Sequence, residues 1–543
     1  MIGLISLLRN RWGAIWLGEI LLLLTGLPAC RPSSRPENII LITLDTQRAD
    51  FISAYDPSRA ATPHIDLLAR EGTLFRNAYS LIPITLPSHG SIFFSEPPHR
   101  LRNYNNGQKI AAKRARPSFV NQFRKKGYAT AAFVSLGVLK RPFGLEQGFE
   151  HYEDEFPPER WYLSAGEVNQ RVHSWLETNR DRPFFLWIHY SDPHDPYAPP
   201  DSPLDFKLFL NDRLVAETSL QKHTFNEVAL DLKPGTNQLR IEFRNEFDDR
   251  PDHFLGRLDK ADFSPPPQPE SYLIDFRRGW FIRQADETYF FKNNSLIDIQ
   301  NKAGLERVKF TFQGKPNLSR ESVRICYQRE VEYMDGEIGK LWDKLRELQL
   351  FDKTAILLVG DHGEGLGEYH NDFGDPHFGH IHYLYDIYLR VPFIIRCPKL
   401  VQEGSVRDEH VTLLDVAPTI SALAGIKPFP HFQGRNLLRL DRAKTPLIFE
   451  ETYRPEAFND RFGLLSPPWH VILTAQNERY ELYNLEEDPE EQSNLFDGRN
   501  WPPELLPLRQ KLEAFAREIL GGKQDIKIDD QTKEMLRALG YIR

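Results

Sequence analysis

The run NIILITLDT, Asn38 to Thr46, restricts the fold more than any other stretch of the chain. It is apolar, rich in β-branched residues and closes on an acid. A strand with no polar alternation has to be covered on both faces, which happens in parallel sheets flanked by helices. A second run of this kind, KTAILLVGDHGEG, closes on Asp361 and His362. Around them, helical patterns (TPHIDLLAREG, PSFVNQFRKKG, AGEVNQRVHSWLETN) alternate with strand patterns (YATAAFVS, PFFLWIHYSD), and the long helical stretch SRESVRICYQREVEYMDGEIGKLWDKLRELQ precedes the second run. This order predicts an α/β fold: a wound, mostly parallel sheet that presents functional groups at the carboxyl ends of its strands.

From about Pro203 to Asn317 the periodicity changes to short strands with turn signals at Asn211-Asp212 and Pro234-Gly235, which implies an inserted β-sandwich. TPLIFEETY, WHVILTA and RYELYNLEEDPEEQSNL then read as an antiparallel, hairpin-rich tail followed by helices. The expected organisation is an α/β domain over 38–203 and 318–424, an insertion over 204–317 and a small antiparallel α+β subdomain over 425–543. With 543 residues the chain can bury a large core, and a net charge of -8 gives no reason to expect a nucleic-acid partner. Oligomeric state is not readable.

At the amino terminus, Arg9 and Arg11 precede an apolar stretch ending LLLLTGLPAC. This looks like a bacterial lipoprotein signal over 1–30, with Cys30 as the lipidated residue and 31–37 as a tether. The alternative is an uncleaved signal anchor from about Trp12 to Ala29, and either places the body outside the cytoplasm, in the cell envelope. Cys326 and Cys397 permit one disulfide without demanding it, and the absence of a CxxC pair excludes a cysteine-built metal site.

Hard divalent cations take carboxylates and tolerate imidazole. Two strand ends supply them as Asp45 and the pair Asp361-His362. Alone, an Asp-His-Gly would more often cap a turn. Thr85, in SLIPITLPSHGS, adds a hydroxyl that a bound cation can activate as a nucleophile on phosphorus or sulfur. Pro87 would fix this loop, and Ser88 or His89 would donate hydrogen bonds around the nucleophile.

NIILITLDTQRAD, TPHIDLLAREGTLFRNAYS, TLPSHGS, FFLWIHYSDPHDPY, ILLVGDHGEGLGE, YLRVPFIIRCP and ELYNLEEDPEEQSNL, in that order, resemble the sulfatase family of the alkaline phosphatase superfamily over about Asn38 to Pro203 and Glu321 to Leu495. The resemblance implies that Asp45, Thr85, Asp361 and His362 hold a divalent metal ion (Mn, Zn, Mg or Ca). It implies Thr85 as nucleophile, with His194 and His380 serving the transferred group or the leaving group. Asn106, His382, Ser88 and His89 would contact substrate. A second metal ion would need donors from Asp192, His189, His194, His377, His380 or His382.

Two departures from the family matter. Its nucleophile position holds Cys or Ser, converted to formylglycine, and an Arg follows the Pro-Ser; here these positions are Thr85 and His89, and threonine cannot become that aldehyde. Thr46 replaces a second strand-end acid. An attacking threonine is similar to phosphodiesterases and phosphoryl transferases of the superfamily. The expectation is therefore a metal-dependent ester hydrolase or transferase, with phosphoryl transfer ahead of sulfate-ester hydrolysis. The substrate would be a small, lipid-linked or glycan ester. A non-catalytic glycan-binding protein with a relic site is the alternative from another class.

Overall fold

The computed structural model describes residues 35–538 except 111–115, 158–159, 196, 198, 200–204, 220–225, 245–253, 265–271, 279–280, 284–288, 292–295, 302–306, 317–319, 371–373, 375, 441–445, 454–459 and 523–528. The signal, Cys30 and most of the tether lie outside the described residues. No helix among those described is long and apolar enough to cross a membrane.

The apolar runs form an eight-stranded sheet. In chain order its strands are β1 (Asn38–Leu44), β2 (Thr73–Phe75), β3 (Ala129–Phe133), β4 (His151–Glu153), β5 (Phe184–Tyr190), β6 (Thr354–Gly360), β7 (Phe393–Arg396) and β8 (Ser405–Arg407). Their spatial order is β8-β2-β7-β6-β1-β5-β3-β4. The strands from β6 to β4 run parallel, and β7 pairs antiparallel with β6 and β2. Alternate residues of each central strand enter opposite cores. Ile39, Leu41, Phe185, Trp187, Leu357 and Val359 join one apolar cluster, while Ile40, Ile42, Leu186, Ile188, Ile356 and Leu358 join the other. Each such side chain contributes roughly 1.5–3 kcal/mol by leaving water. The second face is covered by α2 (Arg320–Glu347) through Met334, Ile338, Leu341, Trp342 and Leu345.

The stretch between β5 and α2 holds two five-stranded antiparallel sheets. Asn211 and Asp212, with φ of 51° and 62°, close the hairpin Asp205–Leu210/Arg213–Ser219, as a two-residue turn with both φ positive requires. The strands on either side of Pro234-Gly235 do not form the hairpin their sequence suggests. Asn226–Asp231 pairs with Arg307–Pro316, and Gly235–Arg244 with Asp205–Leu210 and Leu296–Asn301. Both are taken by longer-range partners in different sheets. Near the carboxyl terminus a four-stranded antiparallel sheet (Ile448–Thr452, Arg461–Ser466, Trp469–Thr474, Arg479–Asn484) packs against the helix Leu506–Gly522. Its core includes Ile82 and Ile84, the approach to Thr85. Cys326 and Cys397 are buried in separate clusters and form no disulfide.

Candidate active site and metal centre

Leu44 is in register with Gly360 on one side and Tyr190 on the other, so three strands release their chains at one edge. Asp45 N donates to Tyr190 O at 2.9 Å, and Asp361 N to Leu44 O at 3.1 Å. The next residue, Thr46, has φ +53°. That conformation is strained for a β-branched residue. It aims Thr46 N at Asp361 Oδ1 (3.1 Å), while Thr46 O accepts from Tyr327 Oη (2.7 Å). His362 N donates to the same Asp361 Oδ1 at 2.7 Å. Two backbone donors thus hold one oxygen of Asp361, while among the described residues Oδ2 and both oxygens of Asp45 meet no donor in good hydrogen-bond geometry. Gly363 follows because a Cβ there would lie 1.9 Å from Ile387 O.

His362 Nδ1 donates to Gly363 O (3.0 Å), which leaves Nε2 as the lone-pair nitrogen, 3.5 Å from Asp361 Oδ2 and 3.9 Å from Asp45 Oδ1. A backbone carbonyl fixing the tautomer of a ligating imidazole is the usual second layer of a metal site. Asp45, Asp361 and His362 each offer one ligand atom within 4.8 Å of the others, and all three are fully buried. Burial raises Asp361, with Asp45 adding to the effect, and burial raises Asp45. Burial, then His380, pushes His362 below the ordinary histidine range. Buried carboxylate oxygens without donors beside a neutral imidazole are the donor set of a divalent cation.

Thr85 is the first residue of α1 (Thr85–Phe94), not part of a loop. Pro87 falls in the first turn, where helix N–H groups have no intrahelical acceptor, so proline costs nothing there. Asn106 Oδ1 instead accepts from Leu86 N at 2.9 Å. The Thr85 hydroxyl lies 3.3 Å from His362 Nε2 and acts on Asp45. Its helix terminus carries a partial positive charge that favours an anion. The His380 ring sits 4.5 Å from that of His362 and 5.1 Å from that of His194. Glu364 Oε2 accepts from His380 Nδ1 at 3.1 Å, and Asp195 O from His194 Nδ1 at 2.6 Å.

Residues 37–426 match the sequence profile of the Sulfatase family. The chain belongs to the sulfatase family. Residues 376–518 match the profile "N-sulphoglucosamine sulphohydrolase, C-terminal". The chain is 22% identical over 531 residues to an N-acetylglucosamine-6-O-sulfatase of Bacteroides thetaiotaomicron, covering 92% of this chain and 89% of the relative. It is 23% identical over 506 residues to an arylsulfatase of Clostridium perfringens, covering 88% and 93%. The phosphonate monoester hydrolase of Agrobacterium radiobacter shares the alkaline-phosphatase-like α/β fold, with a TM-score of 0.57 and 16% identity over 90% of this chain and 96% of that one. Members of this family are hydrolases of ester bonds.

Within this sulfatase-family centre, Asp45, Thr85, His194, Asp361, His362 and His380 come together as the motifs imply. Ser88 and His89 do not face substrate. Ser88 Oγ donates to Asp361 O (2.7 Å), and both nitrogens of the fully buried His89 are bonded, to Thr85 O (2.8 Å) and Thr43 Oγ1 (3.0 Å). Of the two rival histidines, His380 reaches the centre, while the His382 ring lies against His377, 5.4 Å away. Asn106 braces the helix with Oδ1, and its buried Nδ2 has no acceptor among the described residues.

Of the donors a second metal ion would need, Asp192 and His377 are engaged elsewhere. Asp192 caps the helix Ala165–Asn179 through Ala165 N (3.1 Å) and accepts from Tyr162 Oη (2.9 Å), and His377 Nδ1 pairs with Tyr388 Oη (2.9 Å). His189 Nε2 lies 3.2 Å from Asp45 Oδ2, and with His89 and Asp361 it forms another close donor set. Burial holds His89 and His189 down at about 3. Sequence reasoning missed Glu364, Thr43 and the backbone role of Thr46. The spacing of Glu364 after the Asp-His pair is the one signal that pointed to it.

Proposed function

We propose that this protein is a metal-dependent ester hydrolase or transferase in which Thr85 is the covalent nucleophile, acting on a phosphoester or phosphodiester. The observation that carries the reading is the Thr85 hydroxyl at a helix amino terminus, 3.3 Å from His362 Nε2, in a buried cluster where Asp361 Oδ2 and both Asp45 oxygens have no hydrogen-bond donor among the described residues. Asp45, Asp361, His362 and Thr85 would hold the cation. When bound, it supplies Lewis acidity that lowers the pKa of a ligating hydroxyl and offsets charge on a non-bridging oxygen.

Thr85 Oγ, its proton released to solvent, attacks phosphorus in line; the bond to the leaving oxygen breaks, and that oxygen takes a proton from His194 or His380. Glu364, accepting from His380 Nδ1, orients that ring so that Nε2 is the nitrogen left to exchange the proton. The esterified threonine is then resolved by water or an acceptor alcohol, whose proton passes to the same histidine as the bond to Thr85 Oγ breaks. Asn106 Nδ2 is a donor for a substrate oxygen. No formylglycine is needed.

Sulfate-ester hydrolysis by the unmodified threonine is the second reading, favoured by the names of the relatives. Aryl phosphate mono- and diesters and aryl sulfates, tested with Mn²⁺, Zn²⁺, Mg²⁺ or Ca²⁺, separate the two. Faster turnover of phosphate esters that is lost in Thr85→Ala supports the first, and exclusive sulfate turnover supports the second.

Location is part of the proposal. The lipobox-like LPAC motif supports an envelope lipoprotein anchored through Cys30, which would favour lipid-linked phosphoesters or surface glycans within reach of a tether. Lipid labelling of the wild type that is lost in Cys30→Ser supports it. A chain that retains Met1 to Ala29 contradicts it.

A further inference from the structure

We propose that His89 is a positioning residue, locked as the neutral Nδ1–H tautomer, that fastens the backbone of Thr85 to the central sheet and is thereby barred from binding metal. The inference rests on reading Thr85 as the nucleophile. The assignment follows from who can donate. Trp187 Nε1–H has no acceptor capacity, so at 2.9 Å from Thr43 Oγ1 it must be the donor. Thr43 Oγ1 has no other acceptor among the described residues for its own proton, so that proton goes to His89 Nε2 at 3.0 Å, which carries the lone pair. His89 Nδ1 faces only acceptors, Thr85 O at 2.8 Å and Asp361 Oδ2 at 3.7 Å. A lone pair there would oppose both, so Nδ1 bears the hydrogen and donates to Thr85 O.

The donors form a directed chain, Trp187 to Thr43 to His89 to Thr85, joining β5, β1 and α1, and every member is fully buried. Thr43 sits two residues before Asp45, and Trp187 two before His189. The chain therefore ties the nucleophile to the strands that deliver the acid and the neighbouring histidine. A hydroxyl placed this way starts close to its attack geometry, and small losses of placement have large effects on rate. Because both nitrogens of His89 are committed, the donor set His89, His189 and Asp361 does not act as a second metal site.

The direct test is the nitrogen spectrum of the ¹⁵N-histidine-labelled full-length protein, with the His89 signals identified by their loss in His89→Asn. The expected result is a protonated Nδ1 and a bare Nε2, with the Nε2–H form gaining population in Thr43→Val. An Nε2–H tautomer or an imidazolium in the wild type would overturn the proposal whether or not a substrate has been found. Where turnover is measurable, the amide nitrogen of His89→Asn can stand in for Nδ1, whereas that of His89→Gln reaches the place of Nε2. The expected order of kcat is wild type, Asn, then Gln and Ala, the last two reduced about 10- to 100-fold with KM nearly unchanged. Equal losses in Asn and Ala at matched thermal stability would also overturn it. A wild type inert on every ester, with the expected tautomer intact, would instead sink the nucleophile reading.

Discussion

Among the described residues, one buried cluster of histidine and carboxylate in the carboxyl-terminal sheet and another at the strand ends resolve the same electrostatic problem in opposite ways. In the carboxyl-terminal sheet, His470 lies between Glu491 Oε1 at 2.5 Å and Glu450 Oε2 at 2.9 Å. Glu491 Oε2 in turn accepts from Asp386 N. Burial works to lower His470, but the two glutamates override it and hold the ring well above the ordinary histidine range. This cluster carries its own cation, the imidazolium. At the strand ends, Asp45 and Asp361 face His362, whose proton is already spent on Gly363 O and whose other nitrogen is a lone pair. No positive charge is built in. Neutralised burial makes a structural clamp, and burial left short of one cation makes a binding centre.

The largest effect should come from a change that touches neither cluster's charge. Thr85→Ala removes the proposed nucleophile, and kcat should fall by about 10³-fold or more, roughly 4 kcal/mol of barrier. Thermal stability should be nearly preserved, since one hydroxyl and one methyl are lost. Turnover above about a tenth of wild type, a barrier change under roughly 1.4 kcal/mol, would mean that water attacks directly. His470→Gln tests the other side of the comparison. Leaving two buried glutamates without their cation should cost on the order of 3–5 kcal/mol in denaturant unfolding, with cation affinity at the strand ends unchanged. A loss under about 1 kcal/mol would show that the clamp is weak.

How far the sequence led follows the same division. The two unbroken apolar runs announced buried parallel strands, and their terminal acids announced the centre, because a strand's end is a local feature. The clamp was not legible. His470, Glu450 and Glu491 sit on separate strands and a loop, and only the pairing of Glu450 and Ile472 with Gly463 between them brings the first two strands into reach. Ser88 and His89 do make hydrogen bonds around Thr85, but which atoms they would reach was not legible, for a related reason. TLPSHGS reads as a loop around a nucleophile, but its helical turn directs those side chains beneath Thr85, toward Asp361 O and Thr43. The Pro-Gly turn joins two strands as its sequence suggests, but they pair with other partners, a tertiary choice that no short window contains.

Smaller effects sharpen the contrast. Adding the preferred cation to chelated protein should raise stability by about 2.7 kcal/mol at a hundredfold excess over Kd. Asp361→Asn should abolish the gain, and His470→Gln should keep it. The mildest signal is pH dependence. His470 is raised in the folded state, so its contribution is fully present below the unfolded value near 6.5 and is lost as pH rises through the folded value. Glu450 and Glu491, raised by burial, act in the same direction. Stability should therefore decline above about pH 6.5 more steeply in wild type than in His470→Gln. Equal slopes would contradict a charged His470.

Metal content of the purified full-length protein, measured after dialysis against the preferred cation for wild type, Asp361→Asn and His470→Gln, tests the central claim most directly. The account predicts one tightly held divalent cation per chain in wild type and in His470→Gln, and none in Asp361→Asn. Stoichiometric cation retained in Asp361→Asn, or no cation held by wild type, would contradict it.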